Sequence, residues 1–307
     1  MSLNDYEFLK VLQNEDNNSL LKVKNKKDGQ IYMLKNIRFK LLNEQEKKNS
    51  INELKILTSL RHPNIIEFKN AFFDEPSNSL NILMEFPTNE NLNNKIQYAI
   101  ENQMYMEECI IWNILTQILH GLKYIHNKGI IHQNLNSKNV YLTKFRLAKI
   151  INIGENTYFN DNNFSFTNIK NIFYVAPEIL SQKQYSYNCN IWSLGCIIYE
   201  MAALSLPFYG DSIESLYNNI MTKKYKPIPD FYSNNLKYII NYMLKIDPSK
   251  RPSTLILLDY PMIKETRNQL NQIYSIYIDS NNNLILNKTN NIKNKNNQFS
   301  KNNQKRK

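Results

Sequence analysis

The apolar pattern of this chain is mainly strand-like before about residue 87 and mainly helical after it, and that division limits the folds open to it. Before it, apolar residues come in short runs with strand character, bounded by polar turns. Phe8-Leu9-Lys10-Val11-Leu12 and Leu20-Leu21-Lys22-Val23 flank one turn, and Asp28-Gly29 makes another before Ile31-Tyr32-Met33-Leu34. This predicts a three-strand antiparallel meander. Ile51, Leu54, Leu57 and Leu60 then predict a helix that Pro63 stops, and residues 66–72 and 80–86 predict two more strands around Pro76-Ser77-Asn78. Beyond residue 87 the spacing turns helical. Ile111, Ile114, Leu115, Ile118, Leu122 and Ile125 mark one face of a long helix closed by Gly129. Two short strands (140–142 and 147–151) and a polar stretch (154–171) separate it from helices near 191–203, 213–221, 236–244 and 254–258. The pattern implies an α+β fold of two lobes, a small β-rich one (1–86) and a larger, mainly helical one (87–263), with a cleft between them.

Glycine is scarce. The chain has 307 residues and six glycines, none before Gly29, where average usage of about 7% would give roughly twenty. A glycine-rich loop cradling phosphates near the start is therefore excluded. Clusters such as Asn281-Asn282-Asn283 read as codon drift, not chemistry. The net charge is +11, but residues 264–307 carry nine Lys/Arg against two acids. That tail reads as disordered, apart from apolar residues 273–278, and as a weak binder of polyanions. The remainder is only mildly basic, which argues against sequence-specific nucleic-acid recognition. Cys109, Cys189 and Cys196 form neither an even disulfide set nor a C-x-x-C pair, and no apolar run has the length of a membrane span. The start resembles no signal peptide. A reducing compartment, cytoplasmic or also nuclear, is expected.

Several short motifs stand in one order. Tyr32-Met33-Leu34-Lys35 is followed eighteen residues on by Glu53, and then by Arg61-His62-Pro63-Asn64-Ile65. His132-Gln133-Asn134-Leu135-Asn136-Ser137-Lys138-Asn139, Asn152-Ile153-Gly154, Ala176-Pro177-Glu178, Ile191-Trp192-Ser193-Leu194-Gly195-Cys196 and Asp247-Pro248-Ser249-Lys250-Arg251-Pro252 come later. From about Tyr6 to Ile263 the chain resembles the eukaryotic protein kinases of Ser/Thr type, most of all the NIMA-related kinases. The resemblance implies that Lys35 contacts nucleotide phosphates and pairs with Glu53. It implies that Asn134 stands at the catalytic position, that Asn139 and Asn152 stand at the metal positions, and that Glu178 pairs with Arg251. Leu12, Leu20, Met33, Met84, Glu85 and Tyr141 would line the nucleotide slot, and Leu57, Phe72, Ile153 and His132 would form a packed column joining the lobes.

The departures carry the functional reading. Phosphoryl transfer requires a lysine on the phosphates, carboxylate-held magnesium and an Asp that takes the hydroxyl proton. Asn134 replaces that Asp, and an amide has no basic site at neutral pH. Asn152 replaces the metal-gripping Asp with a neutral ligand. Asn136 and Asn171 replace a lysine and a threonine beside them, and Gln133 replaces an arginine that would receive a phosphate on Thr157, Ser165 or Thr167. Gln13, Glu15 and Asn18 fall where the loop glycines belong. Pro87 in the hinge lacks an N–H for adenine. Met104 and Met106 read as core fillers.

Taken with the resemblance, these departures imply a pseudokinase: a fold kept as a binding or allosteric module, with phosphotransfer absent or vestigial. On this reading no cofactor is required, ATP and Mg2+ bind at most weakly, and the partners are proteins, an active kinase among them. The alternative is a low-activity or atypical Ser/Thr protein kinase of the NIMA-related type.

Overall fold

The computed structural model describes residues 2–14, 17–88, 90–144, 146–154, 172–223 and 225–271. Its first lobe is a five-stranded sheet of β1 (Tyr6–Asn14), β2 (Asn18–Asn25), β3 (Ile31–Arg38), β4 (Phe68–Asp74) and β5 (Ser79–Glu85), in the order β1-β2-β3-β5-β4. Every neighbouring pair is antiparallel. Gly29, at φ +69°, makes the turn into β3 in a region that side chains with a Cβ rarely enter. The expected meander and the two later strands are all present.

Helix α1 (Glu44–Ser59) opens on a capping box in which the Asn43 side chain accepts from Glu46 N–H. The helix stops four residues short of Pro63, and Leu60 caps it. Its buried line differs from the expected one. Ile51 is exposed, whereas Glu53 and Leu57 are buried. The carboxylate of Glu53 takes an inward position because a cation waits there, and apolar spacing cannot register such a residue.

The second lobe is built on α3 (Glu108–His126), whose expected apolar face is entirely buried, and on α5 (Asn188–Ala203), apolar nearly all round and buried along most of its length. Helix α2 (Leu92–Glu101) was not foreseen. Asn91 caps it, and Leu92, Ile96 and Ala99 form its buried stripe. Around these pack α4 (Pro177–Leu180), α6 (Ile213–Met221), α7 (Asn234–Met243) and α8 (Thr254–Leu258). Residues 261–271 form one more helix, burying Ile263 and Leu270. Helical structure thus runs past the expected lobe boundary at 263, and the rest of the tail lies outside the described residues. Met106 is a core residue as expected, but Met104 is exposed. Among the described residues no helix is long and apolar enough to cross a membrane.

The lobes meet on a short hairpin of β6 (Val140–Leu142) and β7 (Ala148–Ile150). Ile66 N–H donates to Ile150 O at 3.0 Å, and Ile150 N–H donates to Asn64 O at 2.9 Å. The buried Asn64 amide donates to Gln117 Oε1 and to Ala148 O. These bonds hold the segment between α1 and β4 against the floor of the cleft. The guanidinium of Arg251 meets both oxygens of Glu178 at 2.7 Å and lies over the Trp192 ring, 5.1 Å from its centroid. Such a forked pair suits burial because each charge is met by two charge-assisted bonds.

Candidate active site

Lys35 lies in β3 between Leu20 of β2 and Ile82 of β5. Its ammonium reaches Glu53 Oε1 at 2.7 Å, with the two side chains 4% and 7% exposed. Nearly full burial separates this pair from the surface ion pairs of the molecule, because removing one partner would leave an uncompensated charge.

On the other wall, the segment from His132 to Asn139 turns on amides. Asn136 Nδ2 donates to the Asn134 carbonyl and to Asn134 Oδ1, at 3.0 and 2.9 Å. Asn139 Nδ2 donates to the same carbonyl at 2.8 Å, and Asn152 Nδ2 donates to Asn139 Oδ1 at 3.1 Å. Asn152 has φ +58°, the left-handed region that Asn and Asp enter more readily than other side chains. Gly154 follows at φ +85°, and a Cβ there would lie 2.8 Å from Ile56 Cδ1. The structure therefore brings Asn134, Asn136, Asn139 and Asn152 into one hydrogen-bonded set. An amide both donates and accepts, so the set can satisfy its members mutually, which four carboxylates could not do.

A divalent cation here would find the amide oxygens of Asn139 and Asn152. These are hard neutral ligands of a type Mg2+ accepts, with phosphate oxygens and water completing its shell. Mg2+ would supply charge neutralisation on the transferring phosphates. Lys35 would bind a phosphate, and Asn134 would orient an acceptor hydroxyl without taking its proton. Among the described residues no group of three or more His, Cys, Asp and Glu could hold a metal.

Leu20, Met33, Met84 and Tyr141 share one buried cluster with Leu57, Ile82 and Ile151, and Leu12 packs against it. Tyr141 belongs to the lower lobe, yet it is only 1% exposed. Burial pushes its phenol up to about 12. Glu85 is the last residue of β5. Its carboxylate meets Lys149 Nζ at 2.6 Å and accepts from Glu67 N–H at 2.9 Å. Lys149 was missed, although a lone lysine inside Leu147-Ala148-Lys149-Ile150-Ile151 is a visible signal for a buried ion.

His132 is fully buried as a packing residue, its Nε2–H donating to Ile151 O at 2.9 Å and its main-chain N–H to Asn190 Oδ1 at 3.0 Å. Asn190 also meets His126 Nε2 at 3.0 Å. Sequence reasoning overlooked it, since it sits just before the apolar run that drew attention. Gln133 Nε2 donates to the Tyr185 hydroxyl at 3.0 Å. The interlobe column needs one correction. Phe72 stacks on Tyr6 with ring centroids 5.9 Å apart, while Phe68 is the β4 residue packed against the cluster that holds Leu57. An offset of four along a bulged strand is hard to read by eye, because β4 slips register between Phe68 and Asn70. Glu15, Thr157, Ser165, Thr167 and Asn171 lie outside the described residues.

A buried strand lysine paired with a helix glutamate is the pair that a protein kinase requires in place. The chain belongs to the protein kinase domain family, whose model matches residues 11–263. Relatives of the Nek/NimA kind are among those it matches. It is similar to the probable serine/threonine-protein kinase nek2 of Dictyostelium discoideum, 33% identical over 277 residues that cover 89% of this chain and 66% of the relative. It is similar to serine/threonine-protein kinase Nek2 of Homo sapiens, 30% identical over 274 residues, 85% of this chain and 60% of that one. The G2-specific protein kinase nimA of Emericella nidulans is 29% identical over 292 residues, 86% of this chain and 42% of the relative. The chain thus spans two thirds or less of the length of these relatives.

These relatives correct one expectation. The substitutions at 134 and 152, at the loop-glycine positions and at Pro87 lead to the expectation of a protein needing no nucleotide, with ATP and Mg2+ at most weakly bound, and the relatives contradict it. The homologues are serine/threonine kinases, a class that normally uses ATP with Mg2+. The lysine, its glutamate partner and the Asn139 amide of such a site are all present in this chain.

Proposed function

We propose that this chain is an atypical Ser/Thr protein kinase of the NIMA-related type, transferring phosphate from ATP to protein hydroxyls at a reduced rate. The observation that carries the reading is the buried Lys35–Glu53 pair at 2.7 Å, since that pair must be in place for a protein kinase to act. The relatives favour this alternative over a fold kept only for binding. Lys35 holds a phosphate, Asn139 and Asn152 supply amide oxygens to the metal, and Asn134 aligns the attacking hydroxyl. With no carboxylate at 134, the proton leaves to water or to the phosphate itself. Loss of a general base costs about 10²- to 10⁴-fold, which takes a kinase turnover of 1–100 s⁻¹ to roughly 10⁻⁴–1 s⁻¹.

The test is transfer of labelled phosphate from ATP with Mg2+, to itself and to a generic protein substrate, by the wild-type chain and by Lys35→Met. Slow transfer abolished by Lys35→Met is the expected result. Transfer no faster than that of the variant would favour the second reading, supported by the all-amide loop, in which the fold serves as a binding module for protein partners.

A further inference from the structure

Gln13, near the end of β1, reaches across the mouth of the cleft. Its Nε2–H donates to the carbonyl of Lys138 at 2.9 Å, joining residues 125 apart in sequence and on opposite lobes. Tyr141 of the lower lobe, 1% exposed, shares one buried cluster with Leu20, Met33 and Met84 of the upper lobe. The side chains of Gln13 and of Asn91, the cap of α2, lie close enough to the Tyr141 hydroxyl to draw its pKa down against the larger upward effect of burial. Asn91 is also bridged to Tyr141 through the main chain.

These contacts are particular to this chain's residue choices. A buried phenol needs a polar partner for its hydroxyl, and a glutamine above it has both the reach and the two-sided chemistry to serve. A glycine at 13 would have neither. The Lys138 carbonyl lies one residue before Asn139, so the bond ends beside the metal-facing amides. An adenine ring entering the slot that the kinase resemblance assigns to Leu20, Met33, Met84 and Tyr141 would have to part side chains that share one buried cluster, beside the Gln13–Lys138 bond.

The geometry points to an intramolecular latch, in which Gln13 bonded to Lys138 across the buried Tyr141 ring holds the ligand-free cleft shut, and an adenine nucleotide must displace it to enter. The inference rests on the proposed ATP-dependent activity. If latch and nucleotide exclude one another, each weakens the other by the same factor, and the apparent affinity is reduced by the fraction of molecules that are unlatched. Releasing the latch therefore has two effects of opposite sign: the ligand-free protein becomes less stable while nucleotide binds more tightly. A contact that merely supports the fold would not tighten binding.

The experiment uses the full chain as wild type, Gln13→Ala, Tyr141→Phe and the double variant. ATP and ADP, each with Mg2+, are titrated calorimetrically, and thermal unfolding is followed without nucleotide. Gln13→Ala should lower the ligand-free Tm and tighten ATP about fivefold, the scale of one neutral hydrogen bond. Tyr141→Phe, which keeps the ring and removes the hydroxyl, should shift both quantities in the same directions by less. The double variant should gain less than the product of the single gains, because both remove parts of one contact. Nucleotide bound equally well by wild type and Gln13→Ala overturns the latch and leaves the proposed function standing. ATP bound by none of the four proteins overturns both. Weaker binding in Gln13→Ala also overturns the latch, since Gln13 would then be a nucleotide ligand.

Discussion

The lower lobe and the cleft treat charge in opposite ways. At the base of the lower lobe, Glu178 and Arg251 are both retained, both buried and joined by two bonds of 2.7 Å. In the cleft, Asn134, Asn136 and Asn152 take positions where the kinase resemblance implies two carboxylates and a lysine, and together with Asn139, which the resemblance also implies, they form one hydrogen-bonded set. The first pair is neutralised by the fold itself. In the second set the chain presents amides, which need no counter-charge. A buried carboxylate without a partner costs several kcal/mol, whereas a chain of amides is satisfied from within. Lys35 and Glu53 follow the rule of the lower lobe, since each carries the other's counter-charge.

Breaking the lower-lobe pair should have the largest effect. Arg251→Met leaves Glu178 buried without its partner and should cost about 3–5 kcal/mol, read as a lower midpoint in denaturant unfolding. A loss below about 1 kcal/mol would mean that this pair is no more protected than a surface one. Next comes the cleft. Asn134→Asp restores a base and should raise phosphate transfer about 10²-fold, the lower end of the general-base range. An unchanged rate would show that proton removal does not limit the proposed transfer.

Asn152→Asp sharpens the comparison through its sign. Asn152 donates to Asn139 Oδ1, and a carboxylate would instead set two acceptors face to face. Ligand-free protein should lose about 1–3 kcal/mol, and Mg2+ with ATP should recover it. A variant as stable as wild type without Mg2+ would indicate that the amide network is not under the constraint described above.

A smaller effect is expected where the lobes join. His62 lies against the Tyr124 ring and accepts from Asn64 N–H at 3.1 Å, and burial holds its pKa down to about 4. The unfolded chain, near 6.5, takes up the proton first, so stability falls as pH drops from about 6.5 to about 4 and levels off below. Allowing for its partial exposure, the contribution is about 1–2 kcal/mol. His62→Phe should flatten that part of the pH–stability curve, and an identical slope in the variant would place the acid sensitivity elsewhere.

Much of the architecture was legible in one dimension. Strand periodicity, the apolar face of α3, the turn at Asp28-Gly29 and the order of short motifs all depend on neighbours within a few residues, and those are what a sequence displays. Lys35 and Glu53 were legible as a pair because their spacing matched a known arrangement. Their distance and burial came only with packing, as did the inward turn of α1 onto Glu53 in place of Ile51. Helix α2 had a local signal in Asn91 and its Leu92–Ile96–Ala99 stripe, too short to stand out beside longer runs.

What tertiary structure alone decided are the contacts made by residues far apart in sequence. Lys149 against Glu85, Asn190 beneath His132, Phe68 in place of Phe72, and Gln13 across the cleft to Lys138 each join segments whose pairing no periodicity records. The sequence determined which side chains were charged, amide or apolar, and so which chemistry the cleft can offer. Folding determined which of them meet. The reason is physical: hydrogen-bond propensity and hydrophobic period are local properties of a chain, while neutralisation of a buried charge and satisfaction of a buried amide depend on whatever the fold brings opposite.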